Sequence, residues 1–425
     1  MNKFDLIIIG GGAAGQMAAI SAKKHHPDLS VAILDRTFAL GRKILVCGAG
    51  RCNITNINLN KSFADHYYGA SSEFIESIFN QFSYQNIVDF FNDLGVELYV
   101  ERKTDIGKLF PVTDQAKTVT ALLEDELDRL DVKVYLNHDV VDIKRDTDFN
   151  LKVSELNQEG KAIQSKEFSS KYLILSAGGK TYPALGSNGS GYRLAESLGH
   201  SIIEPVPSAL PIVSKNQLSH ELQGTKMEIE VTSIINGKEI KTRTDDVMFT
   251  QYGLSGPAIL NISREISIQL NRNKSGNCQV KLNFYPGKSK EDVTLLMQTR
   301  WNKRPQQTVE KSFYGIFPNK IAYTLIKAIG KKKKKSVKEL NEFEIDLITE
   351  KLTNCIVDVQ ATRSWNEAEF TAGGVDTTQV KQQTLESSKI ENLYMCGEIL
   401  DVDGDVGGFN LSWAWCSGYV AGILN

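Results

Sequence analysis

The sequence predicts an α/β fold, in which a doubly wound sheet of parallel strands is interrupted by a β-rich insert. Three observations support this class. The chain begins with an apolar run, residues 4–9, that leads directly into glycines and a helical pattern. A second short apolar run, residues 393–396, precedes the last helical pattern. From about residue 202 to residue 367, strand patterns separated by turn signals replace the strand–helix alternation.

Length and composition describe an ordinary globular protein and exclude several classes. At 425 residues the chain exceeds the usual size of a single core, which predicts two or three domains. A net charge of -2 gives no field that would attract nucleic acid or an anionic membrane. The six cysteines lack zinc-type pairs, and no apolar segment approaches the ~20 residues of a membrane span. We therefore expect a cytoplasmic protein with no metal site, no membrane association and no nucleic-acid partner.

The first 201 residues follow the order expected of a doubly wound sheet. Strand patterns at residues 4–9 and 30–34 flank a helical pattern at 13–26, which ends at Pro27. Further helical patterns cover residues 72–82, 83–94 and 114–130. A small antiparallel β-meander is predicted by the alternation at residues 132–135, 140–144, 151–156 and 162–168. The apolar residues 173–175 predict a return to the central sheet.

The insert has strand and helix patterns of its own. Residues 228–235 and 239–244 alternate around Asn236-Gly237, which predicts a β-hairpin. Strand patterns at 247–250 and 278–284 follow, and then helical patterns at 291–301 and 319–329. The five lysines at 331–335 predict a solvated loop, with contact to RNA or acidic lipid as the alternative. The predicted domains are residues 1–201 with 368–425, and the insert at 202–367 with a helical part at about 305–355.

A glycine fingerprint follows the first strand. Gly10 permits a tight turn, Gly12 lets the backbone approach a pyrophosphate, and Gly15 lets helix and strand pack closely. The helix N-terminus then offers N–H donors and partial positive charge to the anion. Asp35 ends the second strand, where its carboxylate can accept hydrogen bonds from ribose hydroxyls. This pattern predicts a Rossmann-like dinucleotide site and leaves FAD and NAD open.

The loop at residues 41–56 combines cations, glycines and amide side chains. Such a loop can neutralise a diphosphate and approach a ring edge, with a polar surface loop as the alternative. Cys47 and Cys52 have the C-x-x-x-x-C spacing of a flavoenzyme redox disulfide. We disfavour that function because no second glycine fingerprint serves NADPH, and no histidine follows His220 to act as the thiol's proton partner.

The C-terminal stretch carries a second ligand signature. Glu398 or Asp401, just after the strand at 393–396, can accept hydrogen bonds from ribitol hydroxyls. Residues 408–410 precede a helical pattern at 411–424, whose free N–H groups would stabilise negative charge on a reduced flavin. The acidic turn lacks the ligand spacing of a calcium loop. Signatures at both ends of the chain predict one FAD stretched across the edge of the sheet.

Two further segments of small residues allow close approach of backbone to a ligand. Residues 176–179 end the strand at 173–175. Residues 371–375 would line the space above the ring, with a plain β-turn as an equal alternative.

Together these residues resemble the bacterial BaiN-like flavoproteins, usually called NAD(P)/FAD-dependent oxidoreductases, a family that includes an aminoacetone oxidase. The resemblance is carried by motifs at residues 41–56, 249–257, 370–375 and 396–410. It implies a Rossmann-like FAD-binding domain interrupted by the β-rich insert, with a further FAD contact at the backbone near Val141. Two positions depart from the family pattern: Asp35 replaces the expected glutamate, and Cys47 stands where a serine-like residue is usual.

The expected function is that of an FAD-dependent oxidoreductase. It would move a hydride between flavin N5 and a small organic substrate or transient NAD(P)H. The residues expected to contact FAD are Gly10, Gly12, Ala13, Ala14, Gly15, Asp35, Arg36, Lys43, Gly50, Arg51, Cys52, Asn53, Val141, Ala177, Gly178, Gly397, Glu398, Asp401, Gly408, Phe409 and Asn410. Catalytic residues and oligomeric state stay unassigned. The alternatives are a flavin-dependent enzyme that modifies RNA or protein, docking through the lysines at 331–335, and a non-catalytic flavin-binding sensor.

Overall fold

The computed structural model describes residues 2–60, 64–101, 107–328 and 335–425. The chain forms two compact units, Met1–Pro207 together with Glu369–Asn425, and Ser208–Ala368. Each unit has its own buried apolar cluster. The loop predicted at 331–335 lies outside the described residues, apart from Lys335, whose Nζ is 2.9 Å from Glu344 Oε2.

The first unit holds both ends of the chain. Its strands are β1 (Asn2–Ile9), β2 (Val31–Leu34), β3 (Thr55–Asn56), β4 (Tyr67–Tyr68), β5 (Leu98–Val100), β6 (Lys108–Pro111), β7 (Lys133–Tyr135), β8 (His138–Arg145), β9 (Phe149–Leu156), β10 (Ala162–Leu175), β11 (Ile202–Ser208), β19 (Phe370–Val375), β20 (Leu393–Met395) and β21 (Asp403–Gly404). Its helices are α1 (Ala13–His25), α2 (Arg42–Val46), α3 (Ser72–Gln81), α4 (Tyr84–Asp93), α5 (Ala116–Arg129), α6 (Ser190–Ser197) and α13 (Phe409–Gly422).

A seven-stranded sheet organises this unit. Its order is β7-β2-β1-β10-β9-β8, and β20 also pairs with β10. Strands β7, β2, β1, β10 and β20 are parallel, whereas β8 and β9 continue the sheet in antiparallel sense. The predicted α/β class is therefore confirmed. The assignment of residues 132–135 to the meander was wrong, because the strand follows helix α5 and a helical crossover places it parallel to β2.

The strands predicted separately at 162–168 and 173–175 are one continuous strand, β10. The polar residues Ser169 and Ser170 interrupt the apolar pattern of the sequence, yet both are buried. They lie inside the sheet because β10 pairs there with β1 on one side and β9 on the other. Two small polar residues in a central strand therefore gave the same sequence pattern as a turn.

The parallel strands end at one edge of the sheet. In the register, Ile9 pairs with both Leu34 and Leu175, and Leu175 pairs with Met395. The residues that follow these strands therefore emerge side by side, as ligand sites at the carboxyl ends of parallel strands require. They begin with Gly10, Asp35, Ser176 and Cys396.

Helices α1 and α13 pack in backbone contact and run in the same direction. A Cβ at Gly418 would lie 2.3 Å from the carbonyl oxygen of Ala14, and one at Gly422 would lie 2.4 Å from that of Ala18. Since α13 starts eight residues earlier relative to this contact than α1 does, its N-terminus extends about 12 Å further. The two ends of the chain thus place two helix N-termini that point the same way, staggered along the helix axis.

The second unit is built on an antiparallel sheet with helices. Its strands are β12 (Ile212–Val213), β13 (Lys226–Ile235), β14 (Lys238–Phe249), β15 (Gly253–Ser255), β16 (Cys278–Asn283), β17 (Cys355–Val359) and β18 (Ala361–Thr362), in the order β17-β16-β13-β14-β15-β12-β18. Its helices are α7 (Gln217–Glu221), α8 (Pro257–Ser267), α9 (Lys290–Lys303), α10 (Val309–Ser312), α11 (Asn319–Ala328) and α12 (Glu342–Thr353).

The predicted hairpin of this unit is present. Asn236 and Gly237 have φ values of 53° and 80°, as a two-residue turn with left-handed central residues requires. The strands predicted at 239–244 and 247–250 form a single strand, β14. Helix α8 was not predicted, although its N1 residue Pro257 after Gly256 is a favourable helix start. Among the described residues, no helix combines the length and apolar character needed to cross a membrane.

His200 gives the first unit a pH-dependent stability. Its Nε2 is 2.8 Å from Ser387 Oγ, which already accepts the amides of Lys389 and Ile390 and so donates to the ring. Burial lowers the pKa of His200 below its ordinary value of 6.5; the backbone of Ala195 opposes this shift, and the Lys389 ammonium adds to it. Protonation would force Nε2 to donate to an oxygen without a free acceptor site.

We therefore expect the unit to lose stability as pH falls below 6.5, because the unfolded chain binds a proton that the folded chain refuses. The loss should stop at the lowered folded pKa. Unfolding midpoints of the wild type and His200→Gln between pH 7.5 and 5 check this. The variant should show a smaller change with pH than the wild type, whereas the exposed control His220→Gln should behave as the wild type does. Equal slopes for all three proteins would contradict it.

Candidate functional site

The glycine fingerprint forms the tight turn between β1 and α1. Gly10 has φ 101°, and a Cβ there would lie 2.6 Å from the carbonyl oxygen of Ser176. A Cβ at Gly15 would lie only 1.9 Å from the carbonyl oxygen of Gly10. A Cβ at Gly12, by contrast, would meet no heavy atom within 4 Å. Gly12 therefore faces open space at the N-terminus of α1, which begins at Ala13 and has no side-chain cap.

The carboxylate of Asp35 is held by hydrogen bonds from the two loops that surround it. Its Oδ2 accepts the amide of Gly11 at 2.7 Å, and its Oδ1 accepts both the amide and the hydroxyl of Thr37 at 2.7 Å. The carboxylate thus ties the glycine turn to the end of β2. A carboxylate offers about four acceptor positions, so one remains for a ribose hydroxyl.

Arg36 and Val141 belong to segments that are linked to Asp35, since Arg36 follows it in sequence and Val141 lies in β8, which begins at His138. Arg36 Nε is 3.4 Å from Asp139 Oδ1, and the amide of His138 donates to the carbonyl of Asp35. Val141 is the extra residue of a β-bulge in β8, because Val140 and Asp142 pair with consecutive residues of β9. Bulges are common beside ligand sites. Burial raises the pKa of Asp139, and Arg36 opposes that shift.

The loop between α2 and β3 has an unusual backbone. Gly48, Ala49, Gly50 and Cys52 all have left-handed φ, between 57° and 84°. For Ala49 and Cys52 this conformation costs about 1 kcal/mol each. Arg51 fixes the loop from outside, since it pairs with Glu101 at 2.9 Å and its guanidinium lies over the ring of Phe110 at 4.0 Å.

The two cysteines of this loop are thiols with raised pKa values. Burial raises the pKa of Cys47 to about 11, reinforced by Glu369 and opposed by the amide of Asn53 and by Lys43. Burial also raises the pKa of Cys52, which is inaccessible to solvent. Both thiols are free. A redox dithiol needs a thiolate nucleophile, so this geometry agrees with the preference against that function.

The same loop is fastened to the C-terminal helix. Asn56 Nδ2 donates to the carbonyl of Gly407 at 2.8 Å, and Thr55 Oγ1 is 2.8 Å from Ser412 Oγ. A Cβ at Gly408 would lie 2.6 Å from the carbonyl of Thr55. Segments more than 350 residues apart in sequence therefore form one structure. Asn53, buried beside Gly408, has no partner for its Oδ1 in the described part of the chain.

The N-terminus of α13 is free of side-chain caps. The helix begins at Phe409. Its N-cap, Gly408, has φ 102° and no side chain that could cap the helix. The side chain of Asn410 turns back into the preceding loop, where it bonds the amide and carbonyl of Gly404 at 2.9 and 2.8 Å. The first backbone N–H groups of α13 are therefore not capped by a side chain at the start of the helix.

Glu398 belongs to a polar network rather than standing free. Its Oε2 accepts Lys43 Nζ at 2.7 Å, and its Oε1 accepts the amide of Thr371 at 2.9 Å. Lys43 also donates to Thr181 Oγ1 at 3.0 Å. The network joins α2, the loop after β10, β19 and the loop after β20. Asp401 is likewise engaged, since its Oδ1 accepts the amide of Gly373 at 2.9 Å.

The remaining predicted residues lie at the same strand ends. Ala177 and Gly178 follow β10, and Gly178 has φ 71°. Gly397 follows β20 with φ 77°, and a Cβ there would lie 2.7 Å from the Cβ of Ala14 in α1. Its amide donates to Ser417 Oγ at 2.9 Å. The predicted positions at the strand ends thus lie along one edge, whereas Arg51 pairs with Glu101 and Val141 lies in the bulge of β8.

Sequence patterns did not indicate His66. Its Nδ1 is 3.2 Å from Asp405 Oδ2, and its ring stacks on Phe409 with centroids 4.2 Å apart. The hydroxyl of Tyr68 donates to Asp405 Oδ1 at 2.9 Å. Strands β4 and β21 pair here and bring the segments together. No sequence signal could have found this pair, because its partners are 339 residues apart.

The edge fits an FAD molecule. Gly12 leaves room for a pyrophosphate at the N-terminus of α1, where helix dipole and N–H groups favour an anion. The N-terminus of α13 lies about 12 Å beyond, a separation that leaves room for a ribityl chain. Beside it, the buried and unpartnered Oδ1 of Asn53 suits the ring N–H of an isoalloxazine. Among the described residues, no group of three or more His, Cys, Asp or Glu side chains is arranged for a metal ion.

Comparisons with known proteins agree with this geometry. A family model described as "HI0933-like protein Rossmann domain" matches residues 4–424. The chain is 34% identical over 417 residues to the 3-dehydro-bile acid delta(4,6)-reductase of Clostridium scindens, covering 98% of this chain and 97% of the relative. It is 30% identical over 420 residues to the ribosomal RNA dihydrouridine synthase of Escherichia coli, covering 99% and 97%.

A solved structure shares the fold at low sequence identity. The 3-ketosteroid delta1-dehydrogenase of Sterolibacterium denitrificans superposes with a TM-score of 0.50 at 13% identity, covering 99% of each chain. At this identity the similarity concerns the fold alone.

Proposed function

Because the chain belongs to the HI0933-like family of Rossmann-domain proteins, which is the BaiN-like flavoprotein family expected from the sequence, we propose that it reduces a carbon–carbon double bond conjugated to a carbonyl group. The protein is an FAD-dependent oxidoreductase.

Two relatives support this type of reaction. One is named for the delta(4,6) reduction of a 3-dehydro-bile acid, in which a ketone stands beside the ring double bonds. The other is named for making dihydrouridine, which is uridine with one ring double bond saturated beside a carbonyl. The substrates differ in size and polarity, but in both the double bond is polarised by a carbonyl. The two reactions therefore share the reduction of a carbon–carbon double bond next to a carbonyl, and we propose the same reaction for this enzyme.

The observation that carries the proposal is the pair of uncapped helix N-termini, at Gly12 and Gly408. FAD bound there would supply the two-electron chemistry that links a hydride donor to a conjugated acceptor. The N-terminus of α13 stabilises the negative charge that accompanies reduction. Asn53 orients the ring edge, and the network of Lys43 and Glu398 fixes the loops around it.

The hydride donor is proposed to be NADH or NADPH acting directly at the flavin site. The glycines in the turn after β1 have the spacing of a dinucleotide site. The glycine-rich segment Gly186–Gly191 before α6 does not have this spacing, so it does not indicate a second dinucleotide site. The nicotinamide and the acceptor would therefore use the same open face in turn. Such alternation predicts that each competes with the other for the enzyme.

Rapid mixing under anaerobic conditions tests the proposal. NADH or NADPH should bleach the flavin absorbance of the FAD-loaded protein. A cyclic enone such as 2-cyclohexenone should then restore the absorbance, whereas the saturated control cyclohexanone should not. Reoxidation by oxygen alone, with no response to any conjugated double bond, would overturn the proposal.

A second acceptor class, the uracil ring of an RNA, is favoured by the charge of the insert. Residues 288–338 contain fourteen Lys and Arg against three Asp and Glu, a net charge of +11 in a chain whose total is -2. Several of these cations, Lys288, Lys303, Arg304, Lys311 and Lys338, are exposed and form no ion pair within the described residues. Clustered exposed cations provide the sequence-independent part of RNA affinity.

Binding of a uridine-rich RNA measured against salt distinguishes the two acceptor classes. Replacing Lys303, Arg304 and Lys311 by serine should weaken binding and reduce the magnitude of the salt slope by about 2. The matched control replaces the exposed lysines Lys117, Lys144 and Lys152 of the first unit by serine and should leave binding unchanged. If the RNA does not bind at low salt, the uracil ring of RNA is excluded as the acceptor and small enones remain.

A further inference from the structure

The imidazole of His66 is a titratable group beside the N-terminus of α13 that the reaction described above does not use. It lies against Phe409, the first residue of α13, with centroids 4.2 Å apart and the ring planes 22° from parallel. Its side chain is 26% exposed, so the ring is reachable from solvent. The helix N-terminus that supports the flavin ring therefore has a histidine at its side.

The orientation of this ring is fixed. Nδ1 faces Asp405 Oδ2 at 3.2 Å, and the amide of Asp405 donates to the carbonyl of His66 at 2.9 Å. Tyr68 donates to the other carboxylate oxygen of Asp405, whose side chain is only 7% exposed. A carboxylate at Nδ1 holds the proton on that nitrogen. Nε2 is therefore the atom left to exchange a proton.

Reduction of a conjugated double bond needs such an atom. Hydride adds to the β-carbon, and the electron pair of the double bond moves towards the carbonyl. The α-carbon then takes one proton, so that the substrate gains two hydrogens in all. We propose that His66, as an imidazolium, donates this proton from Nε2 and is recharged by water, with NADH or NADPH as the source of the hydride. This inference rests on the proposed function.

Other acidic groups at the site are less suited to this role. Burial raises the pKa of Cys47 to about 11, which makes its thiol a weak acid at neutral pH. Lys43 is held between Glu398 and Thr181, and Glu398 has partners on both carboxylate oxygens. His66 combines solvent access with a carboxylate at Nδ1, which leaves Nε2 as the nitrogen that can face a substrate. Asp405 and Tyr68 are positioning residues in this arrangement.

Separate measurement of the two half-reactions tests the role of His66. In His66→Gln, bleaching of the flavin by NADPH should proceed at the wild-type rate. Reoxidation of the reduced protein by 2-cyclohexenone should slow at least 100-fold, as removal of a general acid does. In His66→Ala, added imidazole should restore part of that rate. FAD affinity and the unfolding midpoint should stay near the wild-type values.

Asp405→Asn tests the positioning role with a readout independent of activity. In ¹⁵N-histidine-labelled protein, the His66 signals, identified by their loss in His66→Gln, should report a proton on Nδ1. In Asp405→Asn the same signals should report a mixture of tautomers, and the reoxidation rate should fall less than in His66→Gln.

Three outcomes distinguish failure of this inference from failure of the proposed function. A wild type that does not reduce enones or uracil rings sinks both. A wild type that reduces them, together with a His66→Gln variant of equal reoxidation rate, sinks only the proton-donor role. Equal slowing of both half-reactions, or loss of FAD from His66→Gln, would show that His66 merely fastens β4 to α13.

Discussion

Gly12→Val should give a folded protein that no longer holds FAD. A side chain at Gly12 would meet no protein atom within 4 Å, and φ of -76° is acceptable to valine. The cost to the fold should stay near 1 kcal/mol, because that is the usual loss when a favourable N-cap residue such as glycine is replaced by an aliphatic one. The added methyl groups would instead occupy the space assigned to the pyrophosphate. We expect FAD affinity to fall at least 100-fold, or about 2.7 kcal/mol.

Fluorescence titration of the apoprotein with FAD, together with thermal unfolding, measures both effects. FAD should raise the unfolding midpoint of the wild type and leave that of Gly12→Val unchanged. Gln115→Val is the matched control, since Gln115 is an exposed N-cap of α5 that likewise makes no side-chain cap. It should bind FAD normally. A Gly12→Val protein with wild-type affinity would place the cofactor elsewhere.

Gly418→Ala should destabilise the first unit, although alanine is normally the better residue inside a helix. The intrinsic gain is about 1 kcal/mol. Here the new Cβ would lie 2.3 Å from the carbonyl oxygen of Ala14, and neither backbone can move without separating α1 from α13. Overpacking of this kind costs about 1–3 kcal/mol, so after the intrinsic gain is subtracted we expect a net loss of about 1 kcal/mol, and of about 2 kcal/mol at most. FAD affinity should fall as well, because the two helix N-termini lose their alignment.

Urea unfolding of the apoprotein measures this loss, and Gly12→Ala is the control. The same methyl group enters at both positions, but at Gly12 it meets no atom. Gly12→Ala should therefore unfold near the wild-type midpoint, and Gly418→Ala well below it. A Gly418→Ala protein as stable as the wild type would contradict the close packing of α1 and α13.

The local features of the fold could be predicted because they depend on neighbouring residues. The turn at Asn236-Gly237 needs two left-handed residues, and these residue types adopt that conformation at low cost. The turn at Gly10 likewise follows from a buried strand that meets a residue able to take φ 101°. The periodicity of α3, α4, α5 and α9 identified each helix to within about two residues.

Features that depend on distant pairing could not be predicted in the same way. The alternation of residues 132–135 is equally compatible with a meander and with the parallel edge strand β7 that they form. Ser169 and Ser170 look like a turn until β1 and β9 enclose them. Helix α8 was missed within a motif that was noted only for its resemblance to a family.

The candidate site shows the same division at the level of single side chains. Which residues follow the strand ends was evident from the sequence, and FAD followed from the two glycine signatures. What each side chain contacts was not evident. Asp35 holds Gly11 and Thr37, Glu398 holds Lys43, and Asp405 holds His66.

The amino-acid sequence by itself determined the α/β class, the glycine turns and the cofactor, because steric freedom and hydrophobic periodicity are properties of short segments. Only the tertiary structure decided that α1 and α13 point their N-termini in the same direction, that Asn53 meets Gly408 and that His66 meets Asp405. The physical reason is that hydrogen bonds and close packing depend on distances of a few ångströms between atoms. For residues hundreds of positions apart, those distances are set by the register of the sheet and by the packing of the helices against it.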